Sequence, residues 1–205
     1  MLETGFDTSR PVESFVRVVR GVLLAPARFF AGLGGPRPDG VKGPLIFAII
    51  CGFISLPLVV LAEPYDPLPA GQPTLRLDLL SLFGGNPVGS ILIAIGLVVL
   101  FPLFIVLVVY VGAAVQHFFV FLFVRERRGY WGTFPVVAYG SALSLFSWIP
   151  ILGYLVSLYG IYITTVGLRE MHETTTIRAF LAALLPALIG LAAFVPALLY
   201  PPPGF

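Results

Sequence analysis

The chain is 205 residues long, 58% hydrophobic and only 11% charged, with a mean hydropathy of +0.99. Soluble domains carry about a quarter charged residues, so this composition excludes an ordinary cytosolic enzyme and a disordered tail. A dispersed net charge of +2 likewise gives nucleic acid no electrostatic footprint. The single cysteine, Cys51, can form neither an internal disulfide nor a thiolate metal site alone. What remains is an integral membrane protein.

The N-terminal segment, residues 1–42, holds six of the twelve basic residues. Arg17 and Arg20 interrupt any apolar core a signal peptide would need. At 100° per residue Arg10, Glu13, Arg17, Arg20 and Arg28 fall within an arc of roughly 80°, with Val12, Phe15, Val19, Val22, Phe29 and Phe30 on the far side. Pro11 suits the start of such a helix, and Pro26 interrupts it. An arginine-faced helix of this kind is expected to lie in the membrane interface, with Arg10, Arg17, Arg20 and Arg28 as the candidate contacts to anionic headgroups. The alternative is a helix packed beneath the bundle as a plug.

Four uncharged runs follow, over 43–62, 79–124, 129–168 and 179–205. A crossing needs about 20 apolar residues, because each rises 1.5 Å through about 30 Å of hydrocarbon. The first and last runs fit one crossing each. The second has no turn signal after residue 88 except Pro102, which a membrane helix tolerates as a kink. The third carries Trp148-Ile149-Pro150 near its middle, and a residue before proline is pushed out of helical geometry, so a tight hairpin is expected there. The Pro-rich stretch 63–73 reads as an external loop; residues 75–83 fit either a short surface helix or an extended segment.

The positive-inside rule chooses among these counts. Five crossings, over 43–62, 88–124, 133–147, 150–167 and 178–200, put eleven basic residues inside and one outside. Six crossings divide them equally, and four leave nine against three. The expected fold is therefore all-α: a polytopic bundle of five transmembrane helices over 43–200 with an N-terminal amphipathic interfacial helix. It lies in the cytoplasmic membrane, N-terminus inside, with a short external tail at 201–205.

No charged side chain falls inside a predicted crossing, whereas ion-coupled carriers and pumps place such groups at bilayer depth. The most polar intramembrane pair is Gln116-His117. His117 titrates near neutrality and could sense pH or hold a polar substrate; the plainer reading is an inter-helix hydrogen bond. The hairpin pair adds Tyr139, Ser141, Ser144, Tyr154, Ser157 and Tyr159 as candidate lining of a polar cavity. Its small residues Gly140, Gly153, Gly160 and Thr164 stand at small-xxx-small spacings that let helices pack closely. Glu170, His172 and Glu173 have metal-ligand chemistry but are expected in a solvated loop. With no nucleophile–base pattern and no phosphate-cradling loop, the expectation is no catalytic residue, no metal and no cofactor.

Several short features then line up: Pro26 with Phe29-Phe30, Gly43-Pro44, a long helix ending near His117, Gly132-Thr133-Phe134, Tyr139, Ile149-Pro150-x-x-Gly153, and Gly167-Leu168 followed by His172. Together they resemble the Yip family, the Ypt/Rab-interacting membrane proteins, over roughly residues 26–196. The resemblance implies five membrane helices and a cytoplasmic N-terminus. Eukaryotic members of that family are linked to vesicle traffic, Rab GTPases and association with one another. This chain lacks their long N-terminal region and its acidic-Leu-Tyr-Gly-Pro motif, so a Rab partner is expected only were the chain eukaryotic. Eleven arginines against one lysine suit a GC-rich prokaryotic genome instead.

Two functions follow as expectations. The first is a non-enzymatic, self-associating membrane scaffold of trafficking or lipid-organising type, with anionic lipids and further copies of itself as partners. The alternative is a channel or transporter for an ion, small solute or lipid.

Overall fold

The computed structural model describes residues 5–34, 38–62, 87–124, 128–149 and 152–199. Every regular element among them is helical. In chain order these are α1 (Pro11–Leu24), α2 (Pro26–Gly32), a 3-10 turn (Pro38–Val41), α3 (Lys42–Ala62), α4 (Pro87–Phe123), α5 (Tyr130–Gly140), a 3-10 turn (Ser141–Leu143), α6 (Ser144–Ser147), α7 (Leu152–His172) and α8 (Thr176–Leu199). The Pro-rich stretch 63–73, residues 75–83, Arg125, Arg127 and the tail 201–205 lie outside the described residues.

Local chemistry explains the breaks. Pro11 opens α1, where its missing N–H is no loss. Ala25 precedes a proline and is held at φ −145°, ψ 55°, outside helical geometry, which separates α1 from α2. Pro57 and Pro102, by contrast, lie inside α3 and α4, which continue through them. Gly129, at φ +71°, turns the chain into α5. Glu173 ends α7 in a left-handed conformation at φ +50°, and Thr174 N–H closes on the Arg169 carbonyl at 3.1 Å.

Helix α7 outruns its expected end at residue 167 by five residues. Charges at Arg169 and Glu170 mark where apolar surroundings end, but arginine and glutamate are good helix formers and do not stop the backbone. At the other end of the hairpin pair α5 begins at Tyr130 rather than at 133, directly after the turn at Gly129.

At 1.5 Å per residue α4 is about 55 Å long and α7 about 31 Å. Within α4, Val98–Phe123 is the one segment among the described residues long and apolar enough to cross a membrane; Lys42–Leu58 and Thr176–Ile189 are apolar but shorter. The outer side of α4 exposes Leu92, Ile95, Val98, Val99, Leu103, Phe104, Leu107, Phe118 and Phe121. A continuous apolar face of this length suits hydrocarbon, where only satisfied backbone and apolar side chains are tolerated.

The core joins the N-terminal segment to the bundle. Phe30, Phe47, Val18 and Val22 are fully buried, and Phe29 is nearly so. Phe29 meets Tyr139 edge-on at 5.1 Å, Phe47 packs on Tyr139 at 5.4 Å and Phe15 packs on Phe47 at 5.2 Å. Phe29, Phe30 and Val22, expected on the lipid-facing side of an interfacial helix, are thus core residues. Aromatic rings of this size gain more from filling the angle between α3, α5 and α7 than from partial contact with headgroups.

Arg128 forms an ion pair with Glu173. The segment after α4 and the segment after α7 therefore share one end of the bundle.

Candidate functional site

Polar side chains converge at that end. His117 projects from α4, Thr133 from the first turns of α5, and His172 from the last turn of α7. His117 Nδ1 lies 2.9 Å from Thr133 Oγ1, which lies 3.0 Å from His172 Nε2. The backbone N–H of Arg128 donates to His172 Nδ1 at 3.1 Å. A backbone N–H can only donate, so His172 Nδ1 carries no proton and its Nε2–H donates to Thr133. The same Thr133 oxygen is hydrogen-bonded to His117 Nδ1, in the direction that the His117 tautomer sets. A chain of hydrogen bonds runs from the Arg128 backbone through three side chains, tying α4, α5 and α7 together.

The cluster is dry. Thr133 is 0% exposed and His172 1%, and Tyr130 covers His117 edge-on at 5.9 Å while its hydroxyl donates to the Tyr110 carbonyl. Gly132 makes the approach possible: a Cβ there would stand 2.9 Å from His172 Cε1. His172 lies beyond the uncharged run that ends at Leu168. Burial, reinforced by His117 and Arg128, holds it down at about 4, so it is neutral near pH 7. It was expected in a solvated loop with Glu170 and Glu173; instead it is a buried helix residue, Glu170 pairs with Arg169, and Glu173 pairs with Arg128. Among the described residues no group of three metal-ligating side chains forms. Thr133 beside His117 has the composition of a nucleophile and base, but a hydroxyl with no exposed surface and two imidazole partners meets no substrate.

Gln116 and His117 do not act as a pair. Neighbours on a helix point about 100° apart, and Gln116 Nε2 donates instead to the Ala182 carbonyl of α8 at 2.7 Å. Tyr139 is 2% exposed and accepts from the Phe6 N–H at 3.0 Å, so it anchors the N-terminal segment. Tyr159 stacks on Tyr162 at 5.4 Å and donates to the Leu23 carbonyl at 2.5 Å, holding the end of α1. The Tyr154 side chain lies outside the described residues.

Ser141 and Ser144 face a cavity of about 330 Å³ with Ser55, Ser147 and an apolar wall from α3 and α4. Their hydroxyls already donate, Ser141 to the Ala138 carbonyl, Ser144 to Ser141 and Ser147 to Ser144. Ser157 donates to the Gly153 carbonyl on its own helix. Such bonds leave few donors for a passing solute.

The small residues separate into two kinds. A Cβ on Gly153 would lie 2.7 Å from the Ser147 carbonyl oxygen, and one on Gly160 3.1 Å from Leu143. Gly140 has open space at that position, contrary to the expectation that it sits in a close contact. Thr164 is half-buried. Gly167, not singled out from spacing, is among the tightest: its Cβ would meet Val136 at 2.7 Å and Phe30 at 3.1 Å.

Arg10, Arg20 and Arg28 are exposed, and Arg17 bonds Glu13 at 2.9 Å across one turn. The outward side of α1 also exposes Val12 (77%) and Leu24 (81%).

Thr133 and His172 escaped pattern reading because 39 residues separate them. The available signal was indirect: both belong to the short motifs that resemble the Yip family. A model of the Yip1 domain matches residues 20–196 of the chain. No curated protein and no solved structure matches it.

Proposed function

The chain belongs to the Yip family of membrane proteins, and from that premise we propose that it is a non-enzymatic, multi-pass membrane scaffold that associates with copies of itself and organises lipid around its N-terminal helices. The observation that carries this reading is the division of α1 into two sides. Val18 and Val22 pack into the bundle, while Val12, Leu24, Arg10 and Arg20 face outward. An apolar strip beside arginines suits the boundary between acyl chains and anionic headgroups. Because α1 is fixed at both ends, through Phe6 to Tyr139 and through Leu23 to Tyr159, it presents this surface rigidly. The same reading places the Arg128 and Glu173 end in the cytoplasm, with five crossings of the cell membrane.

The experiment combines two measurements on the full chain in bilayers. Chemical cross-linking should trap dimers or larger species. Spin-labelled phosphatidylglycerol should be motionally restricted by the protein more than phosphatidylcholine, and Arg10→Ala with Arg20→Ala should abolish that preference. Monomers alone, together with an unchanged lipid preference in the double variant, would discard the proposal.

A further inference from the structure

A second cavity, of about 530 Å³, opens at the bundle end where α3 begins. Its walls include the N-terminal strap at Phe6 and Asp7, Leu33 at the end of α2, the entry to α3 at Lys42 and Gly43, α5 at Tyr139, and α7 at Met171. Its polar groups are unequal in what they leave available. The Asp7 carboxylate is occupied, accepting from both the backbone N–H and the hydroxyl of Ser9 at 2.7–2.8 Å. Lys42 is exposed and has no carboxylate partner among the described residues. Tyr139 is nearly fully buried, and its oxygen already accepts from Phe6; among the described residues its own proton has no acceptor.

Two glycines let the backbone pass that hydroxyl without a side chain against it. A Cβ on Gly5 would stand 3.0 Å from Tyr139 Oη, and one on Gly43 3.6 Å from it and 2.9 Å from the Phe6 carbonyl oxygen. The cavity thus offers an ammonium and a phenolic O–H donor over a floor that includes Phe6 and Met171. A ligand that satisfies it needs an acceptor-rich anion joined to an apolar body. Lys42 is also the last charge before the uncharged run 43–62, where headgroups meet acyl chains.

We infer that this cavity binds the phosphate of an anionic phospholipid, with Lys42 and Tyr139 donating to it and the lipid's glycerol and first methylenes lying against Phe6 and Met171. This inference rests on the reading of the chain as a lipid-organising membrane protein, but it concerns one retained lipid and not the boundary layer along α1.

Native mass spectrometry of the full chain tests it, with phosphatidylglycerol, phosphatidylcholine and inorganic phosphate as probes. One phosphatidylglycerol should stay bound under conditions that strip phosphatidylcholine. Lys42→Ala should weaken that binding about tenfold, the size expected for one charge-assisted contact, and Lys42→Arg should restore most of it. Tyr139→Phe should weaken it as well. Should that variant unfold, Gly5→Ala offers a second probe, because it crowds the hydroxyl from the surface. Arg10→Ala with Arg20→Ala should leave this lipid bound even if the boundary preference disappears, which separates the two proposals. Equal retention of phosphatidylglycerol by wild type and Lys42→Ala overturns the inference, as does binding of inorganic phosphate without lipid.

Discussion

The Thr133 hydroxyl lies 3.0 Å from Nε2 of His172, although 39 residues separate them in the chain. That contact orders three helix ends at once, because the same oxygen meets His117 at 2.9 Å.

Removing the hydroxyl without changing volume isolates its contribution. Thr133→Val leaves the His172 Nε2–H and His117 Nδ1 without their shared partner at a site where Thr133 and His172 are buried. The expected loss is about 2 kcal/mol, the range for buried polar groups left unsatisfied, and Thr133→Ser should keep most of the stability. Thermal melts in detergent check this; a Val variant melting with wild type would show that the chain of bonds contributes nothing.

His172 gives stability a pH dependence of definite sign. Its ordinary value is 6.5, and burial first, then His117 and Arg128, hold it at about 4 in the fold. Between those values the unfolded chain binds a proton that the folded chain does not. Stability is therefore complete above about 6.5 and declines as pH falls toward 4, by about 3 kcal/mol in all. Melting points recorded from pH 7.5 to 4 should drop over that window, and His172→Gln should flatten the drop attributable to this residue. An identical profile in the variant would assign the decline to other groups.

Two glycines of similar appearance should respond oppositely to alanine. At Gly153 the new Cβ meets a backbone oxygen at 2.7 Å, which cannot rotate away, so Gly153→Ala should cost about 1–3 kcal/mol. Gly140 is helical with open space around it, so Gly140→Ala should be neutral or stabilise by about 0.5 kcal/mol. Paired melts decide, and equal shifts would contradict the close contact between Gly153 and the Ser147 carbonyl.

Tyr139 can be tested through the strap it holds. Tyr139→Phe keeps the aromatic packing on Phe29 and Phe47 but removes the acceptor for the Phe6 N–H. Protease should then cut residues 5–10 faster than in wild type, while the transitions of the helix bundle change little. Unaltered cleavage would mean that the rings alone secure the strap.

The ion pair of Arg128 with Glu173 makes topology accessible. In a Cys51→Ser background, Arg128→Cys and Glu173→Cys should react with an impermeant maleimide from the same side of sealed vesicles. Labelling from opposite sides would refute the fold at this end.

Much of the helical plan was legible because hydrocarbon leaves a coarse mark. Uncharged runs between charged residues locate α3, α4 and α8 to within a few residues, and Pro26 locates the break between α1 and α2. Helix ends were less legible: Arg169 and Glu170 signal a change of surroundings, whereas the chain turns only at Glu173. The amphipathic pattern of α1 set the arginines apart, and Arg10, Arg20 and Arg28 are exposed, but it could not say what covers the opposite side. Apolar periodicity reads the same toward lipid and toward protein, and it was the angle between α3, α5 and α7 that took Phe29, Phe30 and Val22.

The candidate site was less legible still. His117 stood out as a polar residue in an apolar run, but its partner Thr133 is an ordinary hydroxyl, and His172 stood among charges that suggested solvent. Composition and charge by themselves determined an all-helical chain suited to a membrane, since burial in lipid selects against charge over whole segments. Which polar groups meet was decided only by tertiary packing. A hydrogen bond depends on distances of tenths of an ångström between residues far apart in the chain, and glycines such as Gly132 and Gly167 set those distances by what they omit.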